Sequence, residues 1–306
     1  MTIASIDIGT NTVLLLIAEL NKELQINSLL NEYRIPRIGK GLLPNGQISE
    51  DKIKELIIVL NEYKKIIELY NCERILINAT NAMRIATNRD QIVAKINKLF
   101  GWEVNIVSGK EEASLSYLGA ISGYSENSTV VVIDIGGGST ELIFGKQTEI
   151  KFIKSFPIGV VSGTETYLKN DPPTSKQLES FREHLEIVLE ELSTLAYRSD
   201  ISIALAGTPT TLACMDLNLS KYDEKLIEGY ELNYNKISGL KDHIKGITSV
   251  EIKNSYKAVV KGREDLILAG ALILLKIMEL IKLDNVKVST RGIRYGAIIK
   301  EIRKYQ

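Results

Sequence analysis

Short apolar runs rich in β-branched residues alternate along the chain with stretches whose apolar residues recur every three or four positions. The runs predict strands over residues 3–8, 13–20, 74–79, 103–107, 129–135, 141–144 and 201–206. Behind Ser49, a capping residue, Ile53, Leu56, Ile57, Leu60, Tyr63, Ile67 and Tyr70 fall on one face of a helix. Thr174 and Gln177 have capping-box spacing. From there Leu178, Phe181, Leu185, Val188, Leu192 and Leu195 lay one apolar stripe along a single long helix. A further helix runs through Leu115, Leu118 and Ile121, and residues 266–281 are apolar on nearly every side, as a central buried helix would be. Strands alternating with helices indicate α/β architecture.

One element of the pattern occurs twice. Ile6-Asp7-Ile8-Gly9 returns as Ile133-Asp134-Ile135-Gly136, 127 residues later, and at the same offset Thr12 meets Ser139 and Leu15 meets Leu142. Each copy reads as a β-hairpin with a tip of small residues. Two related domains facing each other across a cleft would bring both tips to one site, although a match this short also arises by chance between strand–Asp–Gly turns.

Composition narrows the function. The chain has 306 residues, a length suited to two domains. Its 38 Lys+Arg balance 38 Asp+Glu, which argues against a dedicated nucleic-acid binder. Cys72 and Cys214 lie far apart, excluding a disulfide scaffold and a cysteine zinc cluster, and two histidines exclude a histidine-rich metal centre. The N-terminus has no basic region ahead of an apolar core, and the longest apolar run, residues 266–275, is too short to span a bilayer. A soluble cytoplasmic protein is expected, without membrane or nucleic-acid partners.

The second tip, Asp134-Ile135-Gly136-Gly137-Gly138-Ser139-Thr140-Glu141, carries the strongest chemical signal. Three glycines in a row suit a backbone that something must approach closely, and N–H groups in such a turn form an anion-binding concavity. Ser139 and Thr140 add hydroxyls, while Asp134 and Glu141 are hard oxygen ligands of the kind that hold Mg²⁺ beside a phosphate. The first tip, Gly9-Thr10-Asn11-Thr12 after Asp7, carries the same logic more weakly, since an Asx turn alone would explain it. The turn from Ala206 through Gly207, Thr208, Pro209 and Thr210 leads from a strand into a helix; it is either a plain cap or an anion site at a helix N-terminus. Arg84 follows a strand among small residues, where a guanidinium can grip a phosphate, though an ion pair is its commoner role. Glu111 and Glu112 open a helix after Ser108, a place where the helix dipole favours acids without any catalytic demand.

Taken together these segments resemble the exopolyphosphatase and guanosine pentaphosphate phosphohydrolase (Ppx/GppA) family of the actin-like superfamily. DIGTNT at 7–12, NATNAMRIATN at 78–88, SGKEEA at 108–113, DIGGGSTE at 134–141, FPIGVVSGTETYL at 156–168, AGTPTTLA at 206–213, GREDLILAGALIL at 262–274 and STRGIRYGAI at 289–298 follow the family's order. The resemblance implies two actin-like, ribonuclease H-like domains around a central cleft, residues 1–121 with 295–306 and residues 122–294. It implies hydrolysis of terminal phosphate from inorganic polyphosphate or pppGpp, with both substrates open and the protein a monomer or homodimer. Glu112 matches the family's catalytic base, and Glu112, Asp134 and Glu141 match the carboxylates around an essential Mg²⁺. Gly9, Thr10, Asn11 and Thr12, Gly136, Gly137, Gly138 and Ser139, and Thr208 and Thr210 match its phosphate-binding loops, and Arg84 matches a phosphate-contacting arginine. Leu14, Thr290 and Tyr295 depart from residues frequent in the family, and the histidine/aspartate-rich extension of longer relatives is not expected. Two competing readings remain: an ATP-dependent kinase of the same superfamily, and a non-catalytic sensor of polyphosphate or alarmone nucleotides.

Overall fold

The computed structural model describes residues 1–21, 25–42, 46–124, 128–195 and 197–304. The chain divides into two compact units, residues 1–119 with 291–306 and residues 120–290.

In the first unit, β1 (Thr2–Ile8), β2 (Val13–Leu20) and β3 (Ile26–Arg34) form an antiparallel meander. Then follow α1 (Glu50–Leu69), β4 (Arg74–Ala79), α2 (Asn81–Ile85), α3 (Arg89–Phe100), β5 (Asn105–Ile106) and α4 (Gly109–Ile121), whose last two residues enter the second unit. The sheet order is β3-β2-β1-β4-β5, with β1, β4 and β5 parallel. Ser49 caps α1 as its position predicts, and Ile53, Leu56, Leu60, Tyr63 and Ile67 are buried against the sheet's core cluster. The predicted strand at 103–107 contracts to two residues.

In the second unit, β6 (Thr129–Ile135), β7 (Thr140–Lys146) and β8 (Glu149–Phe156) repeat the meander. The chain continues through α5 (Val160–Tyr167), α6 (Ser175–Leu189), β9 (Ile201–Leu205), α7 (Gly207–Asp216), α8 (Glu224–Ile227), β10 (Glu231–Asn233), α9 (Tyr234–Ile244), α10 (Ser249–Tyr256), α11 (Ile267–Leu280) and β11 (Asn285–Val288). The order is β10-β11-β9-β6-β7-β8. Strands β8-β7-β6-β9-β11 therefore repeat β3-β2-β1-β4-β5 in order and direction, which makes the 127-residue echo a duplication of architecture. Thr174 and Gln177 form the capping box of α6. The long stripe does not continue as one α-helix, because Glu190–Thr194 tightens into a 3₁₀ turn that still buries Leu192. Helix α11 is buried along almost its whole length, as its composition predicts.

The chain returns to the first unit as α12 (Ile293–Ile302), where Tyr295, Ile298 and Ile302 pack on Ile3, Leu16 and Leu20. Gly296 lies where an added Cβ would fall 1.8 Å from the Leu115 carbonyl oxygen, so α12 and α4 touch backbone to backbone. Among the described residues no helix is long and apolar enough to cross a membrane.

Candidate active site

In each unit the singled-out residues follow the carboxyl ends of the parallel strands, the edge where α/β sheets place their ligands. In the first unit the Gly9–Thr12 turn follows β1, α2 with Arg84 follows β4, and α4 with Glu112 follows β5. In the second the glycine turn follows β6 and α7 follows β9.

The two hairpin tips share one construction. Gly9 N–H donates to the Thr12 carbonyl at 3.0 Å, and Gly136 N–H donates to the Ser139 carbonyl at 2.9 Å. Two further carbonyls of each turn are held by backbone N–H groups from elsewhere in the same unit. Thr10 and Asn11 accept from the N–H groups of Gly39 and Arg37, while Gly136 and Gly137 accept from Val160 and Val161 at the start of α5. In a planar trans peptide the C=O and the following N–H point opposite ways. Holding the carbonyls thus turns the N–H groups of Asn11, Thr12, Gly137 and Gly138 outward, the arrangement an anion requires. Thr140 is buried with its hydroxyl donating to the Ile158 carbonyl, leaving Ser139 to supply the turn's hydroxyl.

Helix α5 explains the FPIGVV segment. A Cβ on Gly159 would stand 2.5 Å from the Gly137 carbonyl carbon and 2.6 Å from the Gly136 oxygen, so only glycine lets the helix approach the turn. Gly159→Ala should therefore push the glycine turn out of position. Activity should fall on the order of 10²-fold, the effect of a roughly 1 Å misplacement at a reacting group, while the thermal transition stays cooperative. Parallel activity and unfolding measurements check this.

Asp134 and Glu141 are directly paired across β6 and β7, so their side chains leave the same face of the sheet. Glu141 is fully buried, and Ser155 Oγ donates to its Oε1 at 2.6 Å. In the first hairpin Leu14 stands opposite Asp7, so that copy has no carboxylate pair at this position.

Glu111 and Glu112 have different surroundings. Glu111 closes a capping box with Ser108, accepting from its backbone N–H at 3.0 Å and its hydroxyl at 2.9 Å. These bonds, the backbone one first, hold the Glu111 carboxyl below its ordinary range. Glu112 is 9% exposed, and its Oε2 accepts from Arg84 Nη1 at 2.9 Å. Arg84 also donates to the Val107 carbonyl at 2.9 Å and to Asn81 Oδ1 at 3.4 Å. The guanidinium expected at a phosphate is thus also the partner of the expected base, fixing its orientation and balancing its charge.

The third turn departs from expectation in its side chains. A Cβ on Gly270 of α11 would fall 2.2 Å from Thr208 Oγ1, so Thr208 packs inward against α11. Thr210 Oγ1 lies 3.0 Å from the Ala206 carbonyl and 3.1 Å from that of Gly207, so its hydroxyl serves the helix's own first turn. What α7 offers an anion is its backbone N–H groups and dipole. Arg263, which sequence reasoning did not single out within its segment, lies over Gly207 and donates to Thr211 Oγ1 at 3.3 Å. It brings a cation to that helix end.

Among the described residues no group of three or more His, Cys, Asp or Glu is placed to hold a metal ion by itself.

A model of the Ppx/GppA phosphatase family matches residues 16–305. The chain is 30% identical to exopolyphosphatase 2 of Mycobacterium tuberculosis over 96% of both chains. It is 31% identical to a bifunctional 3-dehydroquinate synthase/phosphatase of Fusobacterium nucleatum, matched over 98% of this chain but only 46% of that longer protein. The crystal structure of the Aquifex aeolicus Ppx/GppA family member superposes with a TM-score of 0.84 at 37% identity, covering 100% of this chain and 99% of that one.

Proposed function

Because the chain belongs to the Ppx/GppA phosphatase family, we propose that it is a hydrolase that removes the terminal phosphate of inorganic polyphosphate, pppGpp or both, with water as the acceptor. The observation that carries this reading is Glu112. It is a nearly buried carboxylate at the start of α4, oriented by Arg84, in the same unit and at the same sheet edge as β1, which lies two strands away and carries an outward-facing turn of N–H groups. Phosphoryl transfer asks a protein mainly for positioning and charge neutralisation. The turns at Gly9–Thr12 and Gly136–Ser139 and the N-terminus of α7 bind phosphate oxygens through N–H groups, and Arg84 shares its donors between the substrate and Glu112. Glu112 takes a proton from the attacking water, and the released products are orthophosphate and a chain or nucleotide one phosphate shorter.

Asp134 and Glu141 fit Mg²⁺. They are two hard oxygen donors on one face, and such a pair, completed by substrate and water oxygens, is a usual Mg²⁺ environment. A bound ion would neutralise charge on the substrate phosphates. Glu112, bonded to Arg84, is assigned to the water.

Phosphate release tests the reading, using polyphosphates of several lengths and pppGpp, without ATP or an acceptor, in Mg²⁺ or in EDTA. Mg²⁺-dependent orthophosphate from at least one substrate is expected. A requirement for ATP, or tight binding without turnover, would overturn it in favour of the kinase or the sensor.

A further inference from the structure

Among the described residues seven non-glycine positions have positive φ. Four of them follow a helix end or turn a hairpin, where positive φ is ordinary, and Lys257 joins the end of α10 to a 3₁₀ turn. The other two adjoin phosphate-type turns: Ala206 (φ 72°), just ahead of α7, and Arg37 (φ 53°). A left-handed backbone strains any residue bearing a Cβ; Gly or Asn would adopt it more easily than arginine.

Arg37 is fixed there by the Gly9–Thr12 turn. Its N–H donates to the Asn11 carbonyl at 3.0 Å, two residues before Gly39 N–H donates to Thr10 at 2.9 Å. Gly39 is held close, since a Cβ on it would fall 2.2 Å from Thr10 Cγ2. Pro36 and Ile38 are buried on either side, and Lys52 Nζ donates to the Pro36 carbonyl at 2.9 Å. The segment is a rigid mount bonded to the back of the turn. The Arg37 side chain is half-buried, with Nε shielded from solvent.

A second observation comes from the turn itself. Asn11 is 8% exposed, and among the described residues its Oδ1 has no hydrogen-bond partner. Thr12 Oγ1, 3.4 Å from the Asn11 amide, can accept or donate, so either end of the carboxamide can meet a ligand. An anion selects the NH₂ end. A buried polar group left open at such a turn points to a ligand that completes it.

We propose that Arg37 is a substrate-binding residue whose guanidinium clasps the phosphate seated on the Gly9–Thr12 turn. This rests on the phosphohydrolase reading above and extends it by one specific contact. Charge-assisted, two-pronged pairing is what arginine gives a phosphate and lysine does not.

The strained backbone supplies the test. Arg37→Gly accepts positive φ without strain, so it should unfold no earlier than the wild type while lacking the guanidinium. Its KM for polyphosphate, and its Kd for inorganic tripolyphosphate by calorimetry, should rise about 10- to 100-fold, with Arg37→Lys in between. A folded Arg37→Gly with wild-type KM and Kd would overturn the proposal and leave the phosphohydrolase reading intact. If Arg37→Gly fails to fold, Arg37→Lys decides alone, an unchanged Kd counting against the contact. A wild type that neither binds nor cleaves polyphosphate or pppGpp overturns both readings. One that binds tripolyphosphate without turnover overturns the first, and the variants' Kd still decides the second.

Discussion

Glu112→Gln should lower turnover about 10²- to 10⁴-fold, the usual contribution of a positioned general base, while polyphosphate binds as well as before or better. Glutamine keeps the shape and can still accept a bond from Arg84, 2.9 Å away, but it cannot take a proton from water. It also removes one negative charge from a site meant for polyanions. Glu111→Gln is the internal control. Glu111 lies in a capping box with Ser108, so its loss should cost no more than about 1 kcal/mol of stability and leave most activity. Binding titrations and phosphate-release rates for both variants check the pair of outcomes. Loss of turnover in Glu111→Gln with a working Glu112→Gln would move the base elsewhere.

The second large effect is expected at Asp134. With Glu141 directly across the β6–β7 pair, Asp134→Asn removes one of two carboxylates proposed to hold Mg²⁺. The Mg²⁺ concentration for half-maximal activity should rise by at least the 10- to 100-fold typical of losing even an outer partner of a metal ligand. Excess Mg²⁺ should restore part of the rate. Activity titrated against Mg²⁺ checks this, and an unchanged titration would remove the metal assignment. The same change at Asp7 has no such expectation, because Leu14 faces it.

The two hairpins were legible in the sequence because an apolar strand ending in Asp, a small-residue tip and a second apolar strand leave little freedom of register. The meanders' outer strands were not. β3 reads INSLLNEYR, and as an edge strand with Leu29 and Tyr33 exposed it has no need of an alternating pattern. β8 is likewise an edge strand, and β10 and β11 are too short to register as periodic. A buried side chain at a 3₁₀ turn keeps nearly the same spacing, so the stripe through Leu192 has the pattern of an uninterrupted helix. In the site, residue type revealed the turns but not the direction of their side chains. Thr208 and Thr210 face α11 and the helix backbone, a consequence of packing against Gly270 and of two nearby carbonyls. Arg84 and Glu112 are 28 residues apart and meet because β4 and β5 are neighbours. Arg37 was invisible, since its φ and its bond to the first turn belong to the folded chain.

Hydrolysis of polyphosphate in ¹⁸O-water tests the central claim most directly. If Glu112 activates water to attack the terminal phosphorus, the first orthophosphate released carries one ¹⁸O in each molecule, with no ATP or other acceptor present. Glu112→Gln should form that same labelled product about 10²- to 10⁴-fold more slowly. Orthophosphate without the label, or none released until an acceptor is supplied, would contradict the account.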